Sequence, residues 1–299
     1  MPKASIDIGS NSLLLLVVGD DGAVLHDEAR VVGLGRGLGD RGLFRPDRMD
    51  AAVEVLAAYA ARAAELGVPP ATVRVAATSA ARRALNAATF VERIRKETGL
   101  LVRIIEGEEE ALLTWTGALA GLTLPDGPVG VADLGGGSTE VVVGERDVLQ
   151  LRTSLEIGTV RLTDQFLDGG RGRVDPRALA RLKDHVNRVV QTVTWQPLPR
   201  ALVCVAGTAT TLMALELGLT TYDGARVHGG KLGRAALRRW IDRLLDADPD
   251  ERRALVAVSP DRADTLLAGA IVLMALADHS RRETLIISDG GLRHGLLAG

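Results

Sequence analysis

Three short apolar runs open the chain. Ala4 to Ile8 ends in Gly9-Ser10-Asn11-Ser12, Leu13 to Val18 ends at Asp20-Asp21-Gly22, and Ala23 to Val32 follows. Runs of this length, divided by Gly, Ser and Asp-Gly, predict strand, tight turn, strand, turn, strand. Asp47 to Leu66 carries apolar residues at helical spacing and predicts a helix that Gly67 ends. Val73 to Ala77 predicts a strand running into Thr78-Ser79-Ala80. Helix, strand and helix follow over Ala87 to Thr98, Val102 to Ile105, and Glu108 to Leu119, with Gly121 closing the last.

The pattern then begins again. Val129 to Leu134 leads into Gly135-Gly136-Gly137-Ser138, and Thr139 to Val143 and Val148 to Thr153 complete a second meander. Pro176 to Val193 predicts a long helix, and Leu202 to Ala206 a strand running into Gly207-Thr208. Asp7 and Asp133 are 126 positions apart, and Thr78 and Thr208 are 130 apart. Two features in the same order at nearly one separation point to a duplicated domain. Pro125-Asp126-Gly127-Pro128 is the natural boundary, giving domains 1–125 and 126–299, with the last helix free to pack back on the first.

Composition narrows the class. The 299 residues suffice for two ordinary domains, 46% hydrophobic and 25% charged, as in soluble globular proteins. A net charge of −2 argues against a nucleic-acid partner, which calls for a basic excess. It leaves room for a small anion held by local Arg and backbone amides. Cys204 is the only cysteine and lies in an apolar run, so it reads as a core residue and a reducing compartment fits. No basic stretch leads into an apolar leader, and Leu13 to Val18 is too short to span a bilayer. A cytoplasmic protein without a membrane partner is the expectation, with a homodimer as the default assembly.

The two Asp-bearing turns carry the chemistry. A Gly/Ser hairpin gathers backbone NH groups on one side, where they cradle an anion, and Gly lets phosphate approach closely. An Asp at the end of the preceding strand can hold Mg²⁺ beside it. Facing each other across a cleft, two such turns would grip one phosphate chain. The bland alternative is a hairpin with an Asp cap. It is as good a reading for Asp7, and a weaker one for Asp133-Leu-Gly-Gly-Gly-Ser-Thr-Glu140. In Gly107-Glu108-Glu109-Glu110, acids at a helix N-terminus suit the macrodipole. Successive helical residues diverge by about 100°, so one or two at most can face a site, where a carboxylate could orient water. Arg82 and Arg83 offer planar forks for phosphate, or are solvated surface residues. The five His residues lack zinc spacing. Neither Gly-x-x-x-x-Gly-Lys-Ser/Thr nor Gly-x-Ser-x-Gly occurs, which disfavours P-loop and serine-hydrolase chemistry.

Taken in order, Asp7-Ile-Gly-Ser-Asn-Ser12, Ala77-Thr-Ser-Ala-Ala-Arg-Arg-Ala-Leu-Asn86, Gly107-Glu-Glu-Glu-Ala111, Asp133 to Glu140, Gly207-Thr208 and Ser288-Asp-Gly-Gly-Leu-Arg293 resemble the successive motifs of the exopolyphosphatase and guanosine pentaphosphate phosphohydrolase (Ppx/GppA) family. The resemblance runs nearly end to end. It implies an α/β fold of two duplicated actin-like domains around a cleft, and hydrolysis of a phosphoanhydride with Mg²⁺. It further implies Glu110 as the base that positions water and Glu140 as a second essential carboxylate near the metal. Asp133 would be a metal-site acid, with Asp7 a contributor, and Arg82 would bind phosphate. Ser10, Asn11, Ser12, Gly136, Gly137, Ser138, Gly207 and Thr208 would contact phosphates through NH and hydroxyl groups.

Longer family members carry a further helical region that holds long polymers. This chain ends at Gly299, so short polyphosphate chains are the expected substrates. Ala77 stands where the family often has Gly. Removal of the 5′ γ-phosphate of guanosine pentaphosphate, a stringent-response nucleotide, is the alternative within the family. A non-hydrolytic nucleotide-binding actin-like protein is the alternative outside it. Ala206 weakens that one, because it replaces the first Gly of an adenosine-contacting pair. A sugar kinase would need an Asp base that is not identified.

Overall fold

The computed structural model describes residues 1–38, 42–145, 148–170 and 172–298. The chain divides into two compact units. One holds Met1–Gly117 with the C-terminal helix, and the other Ala118–Gly291. The contacts thus divide the chain a few residues before the Pro-Gly stretch chosen from sequence.

The first unit is built on a five-stranded sheet in the order β3-β2-β1-β4-β5. Its strands are β1 (Lys3–Ile8), β2 (Ser12–Val18), β3 (Val24–Val31), β4 (Arg74–Ala77) and β5 (Val102–Ile104). Helix α1 (Pro46–Glu65) has Pro at its first position and buries Met49, Ala52, Val53, Leu56, Tyr59, Ala60 and Ala63, an apolar stripe of helical period. The Tyr59 hydroxyl donates to the Leu13 carbonyl at 3.0 Å, which satisfies the one polar atom of that buried ring. Short α2 (Ser79–Arg83), α3 (Ala87–Thr98) and α4 (Gly107–Leu119) follow. The Thr78-Ser79-Ala80 segment that follows β4 leads into α2, with Thr78 as its N-cap.

The second unit has a six-stranded sheet in the order β10-β11-β9-β6-β7-β8. The strands are β6 (Val129–Leu134), β7 (Thr139–Glu145), β8 (Val148–Leu155), β9 (Ala201–Val205), β10 (Lys231–Gly233) and β11 (Thr284–Ile287). Helices α5 (Thr159–Phe166), α6 (Pro176–Val190), α7 (Ala206–Glu216), α8 (Gly224–Val227), α9 (Arg234–Asp246), α10 (Pro249–Leu255) and α11 (Ala263–His279) surround it. Helix α11 is buried on nearly every side, as its continuous apolar run requires. Helix α6 stops three residues short of the predicted Val193, and the remaining residues form a turn. The last helix, α12 (Leu292–Ala298), belongs to the first unit. There Ser5 donates to the Arg293 carbonyl at 2.7 Å, and Arg293 pairs with Asp27 at 2.9 Å.

The duplication is visible in the ladders. β1 pairs β2 antiparallel and β4 parallel, and β6 pairs β7 antiparallel and β9 parallel. Asp7 lies opposite Ala76, and Asp133 opposite Val205. Strand register therefore sets the second offset at 129, so Thr78 corresponds to Gly207 rather than to Thr208. Strand β9 ends one residue earlier than the sequence suggested, because Ala206 leaves the ladder with φ at +70° and begins α7.

Candidate active site

In the first unit the C-terminal ends of β1, β4 and β5 lie side by side. Thr78 N donates to Ile8 O at 3.3 Å, and Ile105 N to Ala77 O at 3.0 Å. Chain leaving that end of a sheet is where ligands of α/β proteins bind. The β1–β2 turn closes with Gly9 N donating to Ser12 O at 3.0 Å. Its other carbonyls are tied away from the turn: Ser10 O accepts from Gly35 at 2.7 Å, and Asn11 O from Val32 and Gly33 at 2.9 and 2.8 Å. Ser10 and Asn11 are buried, and among the described residues their amides donate to no carbonyl. The buried Asn11 Oδ1 and Ser12 Oγ likewise meet no hydrogen-bond partner there. Buried polar groups are almost always paired, so this cluster is built for a polar guest.

Glu110, in the first turn of α4, is 6% exposed. Arg82, from α2, donates through Nη1 to Glu110 Oε2 at 2.7 Å and to the Ile105 carbonyl at 2.8 Å. The charge-assisted hydrogen bond fixes the direction of the carboxylate. Glu109 instead pairs with Arg103 at the surface, and Glu108 is exposed. Only the third acid of the run is buried.

The second unit repeats the turn. Gly135 N donates to Ser138 O at 3.0 Å. Gly135 O accepts from Thr159 at 3.0 Å, and Gly136 O from Val160 and Arg161 at 2.9 and 3.1 Å. Gly136, Gly137 and Ser138 are buried, and among the described residues their amides donate to no carbonyl. Beside the turn, Asp133 on β6 and Glu140 on β7 sit directly opposite each other. Opposed residues of an antiparallel pair share a face, with Cβ atoms roughly 5 Å apart. Glu140 is 2% exposed and accepts a 2.8 Å hydrogen bond from Ser154. Two opposed carboxylates on one face offer a hard divalent ion a pair of oxygen ligands. Among the described residues no third His, Cys, Asp or Glu joins them. Water and phosphate oxygens would complete the shell, as Mg²⁺ commonly has it.

Gly207 and Thr208 start α7, at the end of β9 beside β6. Thr208 is buried. A Cβ on Gly207 would lie 1.9 Å from the Arg262 guanidinium, so this glycine makes room for an arginine that sequence reasoning did not single out. The Ser288-Asp-Gly-Gly-Leu-Arg293 motif is architectural. Ser288 Oγ donates to Ala118 O at 2.8 Å and accepts from Gly290 N at 3.1 Å. Also missed were Gly35 and Gly158, whose lack of a Cβ leaves room for Ser10 in one turn and for Gly136 and Gly137 in the other. The alternation Gly33-Leu-Gly-Arg-Gly37 was the available signal.

Comparison with known proteins follows this geometry. The model of the Ppx/GppA phosphatase family matches residues 17–299. Exopolyphosphatase 2 of Mycobacterium tuberculosis is 35% identical, over 99% of this chain and 96% of that protein. A solved Ppx/GppA enzyme of Aquifex aeolicus is 33% identical, with a TM-score of 0.80 over 99% of this chain and 98% of its own. An exopolyphosphatase structure from Cytophaga hutchinsonii, 24% identical, shares the fold at a TM-score of 0.90, covering 100% of this chain and 97% of its own.

Proposed function

The chain belongs to the Ppx/GppA phosphatase family and is a phosphohydrolase, and we propose that it releases terminal orthophosphate from short chains of inorganic polyphosphate. The observation that carries this reading is the β6–β7 hairpin. It sets three buried amides, at Gly136, Gly137 and Ser138, next to two opposed carboxylates, Asp133 and Glu140. Anion donors and cation ligands on one hairpin suit a phosphate bound together with Mg²⁺.

In this mechanism the amides and hydroxyls of Ser10, Asn11, Ser12, Gly136, Gly137, Ser138, Gly207 and Thr208 bind phosphate oxygens. Asp133 and Glu140 would hold Mg²⁺, with Asp7 a further contributor. When bound, the ion offsets the negative charge that repels an attacking oxygen. Glu110, aimed by Arg82, orients a water and takes its proton. The water oxygen bonds to the terminal phosphorus as the bond from that phosphorus to the bridging oxygen breaks. The shortened chain leaves as an oxyanion, whose charge Mg²⁺ would offset when bound.

Phosphate release from tripolyphosphate, long polyphosphate, guanosine pentaphosphate and ATP, each with and without Mg²⁺, tests the assignment. Fastest Mg²⁺-dependent release from the short inorganic chains is expected. Release from guanosine pentaphosphate alone would move the substrate to the nucleotide, and release from none would end the proposal.

A further inference from the structure

The carbonyl of Gly137 is held differently from its counterpart in the first unit. Asn11 O, at the equivalent turn position, accepts from two backbone amides, those of Val32 and Gly33. Gly137 O accepts instead from a side chain, the Nε of Arg161, at 2.8 Å. Arg161 stands in the first turn of α5, and its Nη2 pairs with Glu156. The same turn donates its amides to Gly135 O and Gly136 O. Gly158 precedes it as an N-cap without a side chain, so the loop carbonyls take the place of a capping group. A Cβ on Gly158 would lie 2.5 Å from backbone atoms of both Gly136 and Gly137, so helix start and loop touch backbone to backbone.

We propose that Arg161 is a positioning residue, which locks the Gly137–Ser138 peptide with its carbonyl outward and its amide toward the bound phosphate. Glycine at 137 has no Cβ to limit rotation, so the peptide needs an external hold. With the guanidinium removed, the carbonyl can turn toward the phosphate position and replace a donor by an acceptor of the wrong sign. The loss falls on ground state and transition state alike, because the amide binds phosphate in both. The inference rests on the reading of Gly135–Ser138 as a phosphate turn.

The test pairs steady-state kinetics on short-chain polyphosphate with amide NMR of the substrate-free protein. Arg161→Ala is expected to raise KM about tenfold, the effect of losing one strong hydrogen bond, with kcat changed less than about twofold. Arg161→Lys, which keeps one donor, should recover part of the loss. The resonances of Gly136, Gly137 and Ser138 should shift or broaden while amides elsewhere hold. An unchanged KM would overturn the proposal. So would a fall in kcat at unchanged KM, since that would put Arg161 on the reacting phosphoryl group. If the alanine variant does not fold, the lysine variant decides by the same criteria. If the wild type releases no phosphate from any chain, the functional reading fails, and the spectra alone judge the lock: unmoved loop resonances in the variant overturn it.

Discussion

Glu108, Glu109 and Glu110 are consecutive, yet only Glu110 is buried, because successive helical side chains point about 100° apart and only one meets Arg82. Breaking this half-buried pair from one side removes a charge-assisted hydrogen bond and costs on the order of 1–3 kcal/mol. Arg82→Ala should therefore lower the melting temperature clearly, and Arg82→Ala with Glu110→Gln should recover much of the loss, since the glutamine carries no charge. Thermal denaturation of both single variants and the double variant checks this. A melting temperature of Arg82→Ala equal to the wild type would show that the pair is not buried as described. Cys204 is a second residue-scale case. Complete burial in β9 pushes its thiol well above the usual range, which keeps it protonated and unreactive. Labelling by a disulfide reagent at pH 8 should be slow in the native protein and fast in denaturant. Rapid native labelling would contradict its place in the core.

At the scale of elements, the strand–turn–strand units were legible because Gly and Ser clusters interrupt apolar runs, and a local pattern suffices to read them. The acidic run of α4 and the Asp-bearing turns were legible for the same reason. What escaped was contact between segments distant along the chain. Nothing in the periodicity says that Gly158 must touch Gly136, or that Arg161 must hold Gly137, some twenty positions earlier. The equivalence of Thr78 with Gly207 needed strand register, because matching like residues slid the alignment by one. Two changes test these contacts. Gly158→Ala drives a methyl into backbone that cannot swing aside, and should abolish most phosphate release while the protein remains folded by circular dichroism. Full activity would remove the close approach. Ala206 adopts φ of +70°, a region that costs an L-residue about 1 kcal/mol or more. Ala206→Gly should raise unfolding stability by about 1 kcal/mol in urea titration, and a loss of stability would contradict the backbone assigned there.

At the scale of the whole molecule, each unit carries a copy of one hairpin, and the copies have diverged. Leu14 on β2 occupies the position that Glu140 holds on β7, as the pairings of Asp7 and Asp133 show. The first unit carries the arginine-held Glu110, and the second carries the opposed acids. No helix among the described residues is long and apolar enough to cross a membrane. With Asp133 as the proposed Mg²⁺ ligand, Asp133→Asn should require several-fold more Mg²⁺ for half-maximal phosphate release, and an unchanged Mg²⁺ requirement would take Asp133 out of the metal site. The most direct measurement is the initial rate of orthophosphate release from tripolyphosphate in saturating Mg²⁺, wild type against Glu110→Gln. The glutamine keeps the shape but cannot take the proton of water, and a base contributes about 10²–10⁴ in rate. A fall in kcat of at least about a hundredfold, at nearly constant KM, is the predicted result. Equal rates for the two proteins would contradict the assignment of Glu110 and the mechanism built on it.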